Sequence, residues 1–253
     1  MLKSSFEFEV LVHGSSVKEY YHRGSTYIEG KEGTNFSLRM RNNTGSRVLF
    51  VPTVDGLSIL NGKHGSFGSR GYIVRAYDSL TIDGWRTSDD NIAEFFFSSP
   101  IQSYAKKIHK GNNLGVIGCV VFKEKYQPVY FPPAWAGSVG NGSTTGTQNI
   151  NTTYSMTSAS QQMTTAFSAM NCSNNSASAS LGTGFGQDKY SPVTSVDFDK
   201  EVAPSEIFNI FYNTRAALQS MGIEFNKPIY ISKSNKHTGP SAFPNEEGYC
   251  PRP

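Results

Sequence analysis

The chain is poor in cysteine, in long apolar runs and, over one long stretch, in charge. Only Cys119, Cys172 and Cys250 occur among 253 residues. They are odd in number, far apart and outside any CxxC or Cys/His spacing, which excludes a disulfide framework and a sequence-encoded zinc site. Such sparse cysteine suits a reducing compartment. No stretch approaches the roughly 20 apolar residues of a membrane-spanning helix, so membrane insertion is not expected. The longest apolar run, Leu114–Phe122, has the length of a strand. Glu7 and Glu9 interrupt the only apolar stretch near the N-terminus, which argues against a secretory leader and for synthesis in a cytoplasm.

The missing charge is more informative than the net charge. Twenty-three basic against 20 acidic side chains leave only +3, too little to imply a nucleic-acid or membrane partner. Yet the 62 residues from Tyr126 to Gln187 carry no charge at all. Within them, 31 of the 46 residues from Ala136 to Leu181 are Ser, Thr, Asn, Gly or Gln. That composition offers little apolar surface to offset ordering entropy. Two readings follow for 126–181: a flexible insertion, or an arm that orders against a neighbouring subunit. Its neutrality lowers the cost of burial, and Met156, Met163, Phe167 and Met170 are candidate anchors.

The charged blocks on either side read as β. Phe6, Phe8 and Val10 alternate with Glu7 and Glu9, the period-two pattern of a half-buried strand. Phe36, Leu38 and Met40 alternate likewise. Asn42–Gly45 is a turn signal, and Val48–Val51 resumes the apolar pattern, so these two runs read as a hairpin. Asp55-Gly56 and Asn61-Gly62 read as tight turns. Gly71–Val74, Ser79–Ile82, Ile92–Phe97, Gly115–Phe122, Val193–Phe198 and Glu206–Tyr212 are further strands, with Pro228–Ile231 as a last edge strand. Short helices are expected over Ser103–His109 and over Thr214–Met221, the latter capped by Asn213 and closed by Gly222. The fold class is therefore mainly β, an antiparallel, jelly-roll-like β-sandwich. Its parts are 1–125, the insertion 126–181, the completing strands 182–231 and an extended tail 232–253.

No constellation carries chemistry. The Gly182–Gly186 run (GTGFG) has the look of a phosphate loop, but no helix follows it, and the favoured reading is a turn where the chain re-enters the sheet. His13, His22, His64, His109 and His237 fit no metal box. Asp83, Asp89, Asp90 and Glu94 gather around Trp85 and Arg86, which raises glycoside hydrolysis; the stronger reading packs Trp85 under a turn with the acids in solvent. Basic residues form no aromatic-interleaved stripe, so nucleic acid is not an expected partner. No cofactor is implied.

Two blocks of motifs occur in order. The first holds Val54–Gly62 (VDGLSILNG), Ser69–Val74 (SRGYIV), Asp83–Ser88 (DGWRTS) and Asn113–Gly118 (NLGVIG). The second holds Leu181–Gly186 (LGTGFG), Pro204–Tyr212 and Gly222-Ile223. In this order the chain resembles a functionally uncharacterised family of β-rich proteins from bacteria and tailed bacteriophages. The resemblance implies one fold interrupted by an insertion, and a virion or cell-envelope role rather than a metabolic one. It supplies no catalytic residues. The leading expectation is a non-enzymatic structural protein of a virion, such as a capsid decoration, head-fibre or tail-associated protein. Its partners would be other virion or envelope proteins in an oligomeric assembly. The candidate interaction surface is Trp85, Trp135, Met156, Met163, Phe167 and Met170. The alternative is a carbohydrate- or cell-surface-binding module using exposed Trp85, Trp135, Tyr72 and Tyr77. An enzyme built around Asp83 and Asp89 stands third.

If the neutral segment orders only in an assembly, limited proteolysis of the isolated protein cuts within 136–181 and spares its flanks. Resistance of the isolated chain there contradicts that reading.

Overall fold

Alternation at the N-terminus produces the strand it predicts, because every second side chain of an extended chain points to the same face. In the computed structural model, which describes residues 4–125 and 179–225, Phe6, Phe8 and Val10 face the core while Glu7 and Glu9 are part-exposed. The chain opens with β1 (Phe6–Val12), β2 (Ser15–Ser16), β3 (Glu19–His22) and β4 (Ser25–Glu29). It continues through β5 (Ser37–Asn42), β6 (Val48–Val54), β7 (Leu57–Ser58) and β8 (Tyr72–Val74). Next come β9 (Ser79–Ile82), β10 (Gly84–Arg86) and β11 (Asn91–Ser98), then the one-turn helix α1 (Tyr104–Lys107) and β12 (Val116–Lys123). Past residue 178 lie β13 (Gly182–Tyr190), β14 (Glu206–Asn213) and α2 (Arg215–Ser220).

The fold is mainly β and sandwich-like. One sheet runs β2-β1-β5-β9, a second β10-β11-β13, and the largest β3-β4-β14-β12-β6-β7, with β8 also on β6. Pairing is antiparallel except between β14 and β4, where Ile210–Asn213 run parallel to Thr26–Glu29. Both β13 and β14 pair with strands of the first block, β13 on β11 and β14 on β12. Inward side chains of all three sheets form one core, from Phe8 and Met40 through Phe50 and Ile117 to Trp85 and Phe97. Phe36 stacks between Phe95 and Phe97, with ring centroids 5.2 and 4.5 Å away.

The largest sheet is covered on its outer face as well. Tyr20, Tyr27, Val116 and Phe211 pack beneath Leu218 of α2 and Ile223. Leu49, Val51, Val120 and Phe122 pack beneath Ile73 and Phe198. This explains why Val48–Val51 of β6 and the first seven residues of β12 read as unbroken apolar runs rather than alternating ones. Ser103 caps α1 through Lys106 N at 3.3 Å.

Several expected local features differ. The runs Phe36–Met40 and Val48–Val51 are not a hairpin: β5 pairs with β1 and β9, whereas β6 pairs with β12, β7 and β8. The chain changes sheets between them, and buried Asn42 builds the corner. Its Nδ2 donates to Ser46 O (2.7 Å) and Arg75 O (2.9 Å), and its Oδ1 accepts from Thr44 N (2.9 Å). Turn residues mark where a chain bends, and the bend here serves a crossover. Val193–Phe198 is not a strand but an extended strap that pairs with no edge. Gly182–Gly186 lies inside β13 rather than in a turn. The cap of α2 is Thr214, whose Oγ1 accepts from Ala217 N; Asn213 Oδ1 is engaged by Ser180 N and Thr214 N instead. Gly222 follows α2 with φ +89°, as a C′ glycine does. Pro228–Ile231 and the tail 232–253 lie outside the described residues, as does 126–178.

Replacing Asn42 by Ala strands the corner's backbone carbonyls in the core. We expect Asn42→Ala to lower the unfolding free energy by about 2 kcal/mol, read as a lower urea midpoint at unchanged m-value. A midpoint equal to wild type refutes this account of the corner.

Candidate functional site

The turn Asp55-Gly56 joins β6 to β7 with only two residues. Both take positive φ, 53° and 75°, the type I′ geometry that matches the twist of a tight hairpin. The Asp55 side chain is thereby turned into the core, where it has no exposure. Asp55 Oδ1 accepts from Gly115 N at 2.9 Å and from Tyr212 Oη at 2.5 Å. Its Oδ2 accepts from Thr183 N at 2.8 Å. Thr183 Oγ1 lies 2.8 Å from Tyr212 Oη, and Asp55 N donates to Val116 O at 2.8 Å. One carboxyl group thus gathers the β6–β7 turn, the entry to β12, the start of β13 and the end of β14.

Burial pushes the Asp55 carboxyl up to about 7, against the lowering effect of Tyr212, Thr183 and Gly115. Burial, followed by the charge of Asp55, holds the Tyr212 hydroxyl well above its usual range. The group therefore changes charge near neutrality, but inside a closed site whose acceptors are all occupied.

A second polar centre lies at Arg86, the last residue of β10, which is 2% exposed. Its Nε and one terminal nitrogen each lie 3.4 Å from Tyr72 Oη. The other terminal nitrogen donates to Ser88 O at 3.4 Å and to Ser191 O. Among the described residues no carboxylate comes within ion-pair distance of it. Arg86 lines a cleft of about 550 Å³ between β8 and the strap 193–198, walled by Leu49, Tyr72, Ile73, Leu80 and Phe198. The strap is tied down at both ends, by Ser191 N to Asp90 O and Val193 N to Asp89 O, and by Lys125 N to Asp199 O and Glu201 N to Lys123 O. At the same wall, Lys200 donates to Phe67 O and lies 4.5 Å from the Phe122 ring; burial lowers its pKa.

Trp85 is the one member of the expected interaction surface within the described residues, and it is not on a surface. It has no exposure, its Nε1 donates to Gly184 O at 2.9 Å, and its ring packs on Phe95 and Tyr104. An indole this large gains more from core burial than from solvent contact, and its single N–H finds a backbone acceptor. Trp135, Met156, Met163, Phe167 and Met170 lie outside the described residues. Of the other aromatics expected for glycan contact, Tyr72 is buried and Tyr77 is exposed.

The acidic residues near Trp85 take separate roles. Asp83 pairs with Lys189 at 2.5 Å, Glu94 accepts from Asn35 at 3.1 Å, and only Asp89 of the four reaches the cleft. The described residues contain no group of three or more His, Cys, Asp or Glu able to hold a metal. His13 and His109 sit at positive φ in turns. His22 Nε2 and His64 Nδ1 are buried without a hydrogen-bond partner among the described residues. Cys119 is a free thiol within the core, pushed well up by burial.

Asp55 and Tyr212 escaped the sequence reading, which treated Asp55 as a turn residue and Tyr212 as strand. The available signal was the motif order itself. The runs containing Asp55, Gly115, Thr183 and Tyr212 all meet at one carboxyl.

Because the folded Asp55 keeps a proton that the unfolded chain has lost, its contribution to stability falls as pH rises from about 4 to about 7 and is flat above. Relative to Asp55→Asn, the wild type should lose up to about 1.4 kcal/mol per pH unit across that window, measured by urea unfolding at several pH values. Parallel pH profiles for the two proteins eliminate the effect. At the acid end of that window the variant should be the less stable protein by about 1–3 kcal/mol, since an amide cannot accept from both Gly115 N and Thr183 N, and the gap should close as pH rises toward 7.

Comparison with family models, with curated proteins and with solved structures finds no match.

Proposed function

We propose that this chain is a non-enzymatic interaction protein, a structural component of a larger assembly, with a bacteriophage virion as its setting. The observation that carries the reading is the segment 190–207. Tyr190, Val193, Val196, Val202 and Ile207 are all exposed there, Val202 at 94% and Val196 at 58%. Isolated exposed apolar residues are ordinary, but several along one segment mark a contact surface. The segment is presented on a sandwich whose most buried carboxyl, Asp55, has its oxygens occupied by the fold. The virion setting rests on the ordered motifs and the resemblance they carry.

The mode of action is burial. Docking the apolar side chains of 190–207 against a neighbouring chain removes them from water at roughly 25 cal/mol per Å². A stable contact of about 800 Å² per partner requires more surface than five side chains, so neighbouring strand edges would share it. Salt alters such a contact little, because the segment's apolar residues rather than its charges make it.

Mass spectrometry of purified particles from a phage encoding this chain should find it as a component. The double variant Tyr190→Asp, Val202→Asp should reduce its incorporation at least about tenfold while moving its own stability by less than about 0.5 kcal/mol. Absence from the particles, or incorporation indifferent to both charges, overturns the reading.

A further inference from the structure

The cleft beneath the strap is not explained by a role in assembly. Its floor holds Arg86, a cation removed from water whose described partners are all neutral oxygens: Tyr72 Oη, Ser88 O and Ser191 O. Burying a guanidinium without a counter-charge costs several kcal/mol by rough estimate, and backbone and phenol dipoles offset only part of it. Asp89 shares the cleft without forming an ion pair with Arg86. Arg86 is thus a buried cation at the cleft with no carboxylate within ion-pair distance among the described residues.

We propose that this cleft binds a small organic monoanion, a carboxylate carried on an apolar body, with Arg86 as the anchoring cation. A single carboxylate supplies the counter-charge that Arg86 lacks among the described residues. Four of the five guanidinium N–H groups already have neutral partners, so the cation has one free donor to direct and its charge to offer. A carboxylate accepts that donor at one oxygen. The cleft also accommodates hydrocarbon: Leu49, Leu60, Ile73, Leu80 and Phe198 give it an apolar wall. Its volume of about 550 Å³ falls within the usual range for small-molecule sites, roughly 300–1,000 Å³. Entry is provided by the strap. Among the described residues, Thr194–Phe198 donate no backbone hydrogen bond, while both ends of the strap are fixed. The middle can rise without breaking the sheet.

The test uses the full chain with three probes, hexanoate, hexanol and acetate, followed by isothermal titration. Hexanoate should bind saturably with a dissociation constant below about 1 mM, and hexanol and acetate at least about tenfold more weakly. Two variants locate the site. Arg86→Gln removes the anchor, and Thr194→Trp fills the cleft from an exposed position on the strap, so it leaves the core intact should the first variant fail to fold. Each folded variant should weaken hexanoate binding at least about tenfold. No saturable binding of hexanoate, equal binding of hexanol, or binding indifferent to Thr194→Trp overturns the proposal. Incorporation into particles is a separate readout, so either proposal can fail without the other.

Discussion

A single buried carboxyl holds the two halves of this sequence together. Asp55 lies at the end of β6 in the first block, while Thr183 and Tyr212 come from the second, 128 and 157 residues later. Strand pairing alone would bring β13 to β11 and β14 to β12, but on different sheets. The carboxyl group bridges the starts and ends of strands from both. Its burial is unfavourable taken alone, and three donors make it tolerable. Removing any one of the three would leave the others facing a less satisfied acid, so the contacts act as a unit. The chain enters the undescribed segment from Lys125, hydrogen-bonded to Asp199, and leaves it at Ser180, hydrogen-bonded to Asn213. Both boundaries are therefore fixed to the same body that Asp55 organises.

The glycines of the second block follow from the same crowding. In β13, a Cβ on Gly184 would lie 2.1 Å from the Phe96 ring and one on Gly186 2.7 Å from Glu94 O. The run GTGFG is thus a strand pressed against β11, with Gly184 O free to accept the Trp85 indole. A glycine-rich run signals close approach of something to the backbone. Here that something is the neighbouring strand, its aromatic ring and its main chain.

Strand identities were legible because period-two alternation and β-branched runs report local conformation directly. Phe6–Val10 and Glu206–Tyr212 are examples, and the second short helix was legible from its formers and its glycine stop. Partnership was not. Asn42–Gly45 has the composition of a hairpin turn and makes a sheet crossover, because the same residues bend a chain in either case; only the burial of β6 on both faces separates them. The parallel contact of β14 with β4 spans nearly the whole chain and leaves no local mark. Val193–Phe198 has strand composition but forms no strand: Phe198 packs on the layer of Leu49 and Phe122, and only Val193 N makes a backbone hydrogen bond, to Asp89 O. Asp55 was hidden for a related reason: Asp-Gly is the ordinary signature of a tight turn, and the turn is real. Which way its side chain points depends on Gly115, Thr183 and Tyr212, which arrive from elsewhere.

The strap 191–205 has opposite properties on its two sides. Its inner face supplies Phe198 to the outer apolar layer of the largest sheet, and Arg47 lies 5.5 Å over that ring. Val193 and Val196 line the cleft while staying exposed, and Val202 stands in water. Between Thr194 and Phe198 no backbone donor has a backbone acceptor among the described residues, and exposed valines add apolar surface beside them. A neighbouring chain that covered the outer face would also press the strap onto the cleft and Arg86. Occupancy of the cleft and coverage of the strap would then be coupled through the position of Thr194–Phe198. The sign of the coupling depends on the size of the ligand. A ligand small enough to fit under a closed strap strengthens the outer contact, and one that props the strap open weakens it.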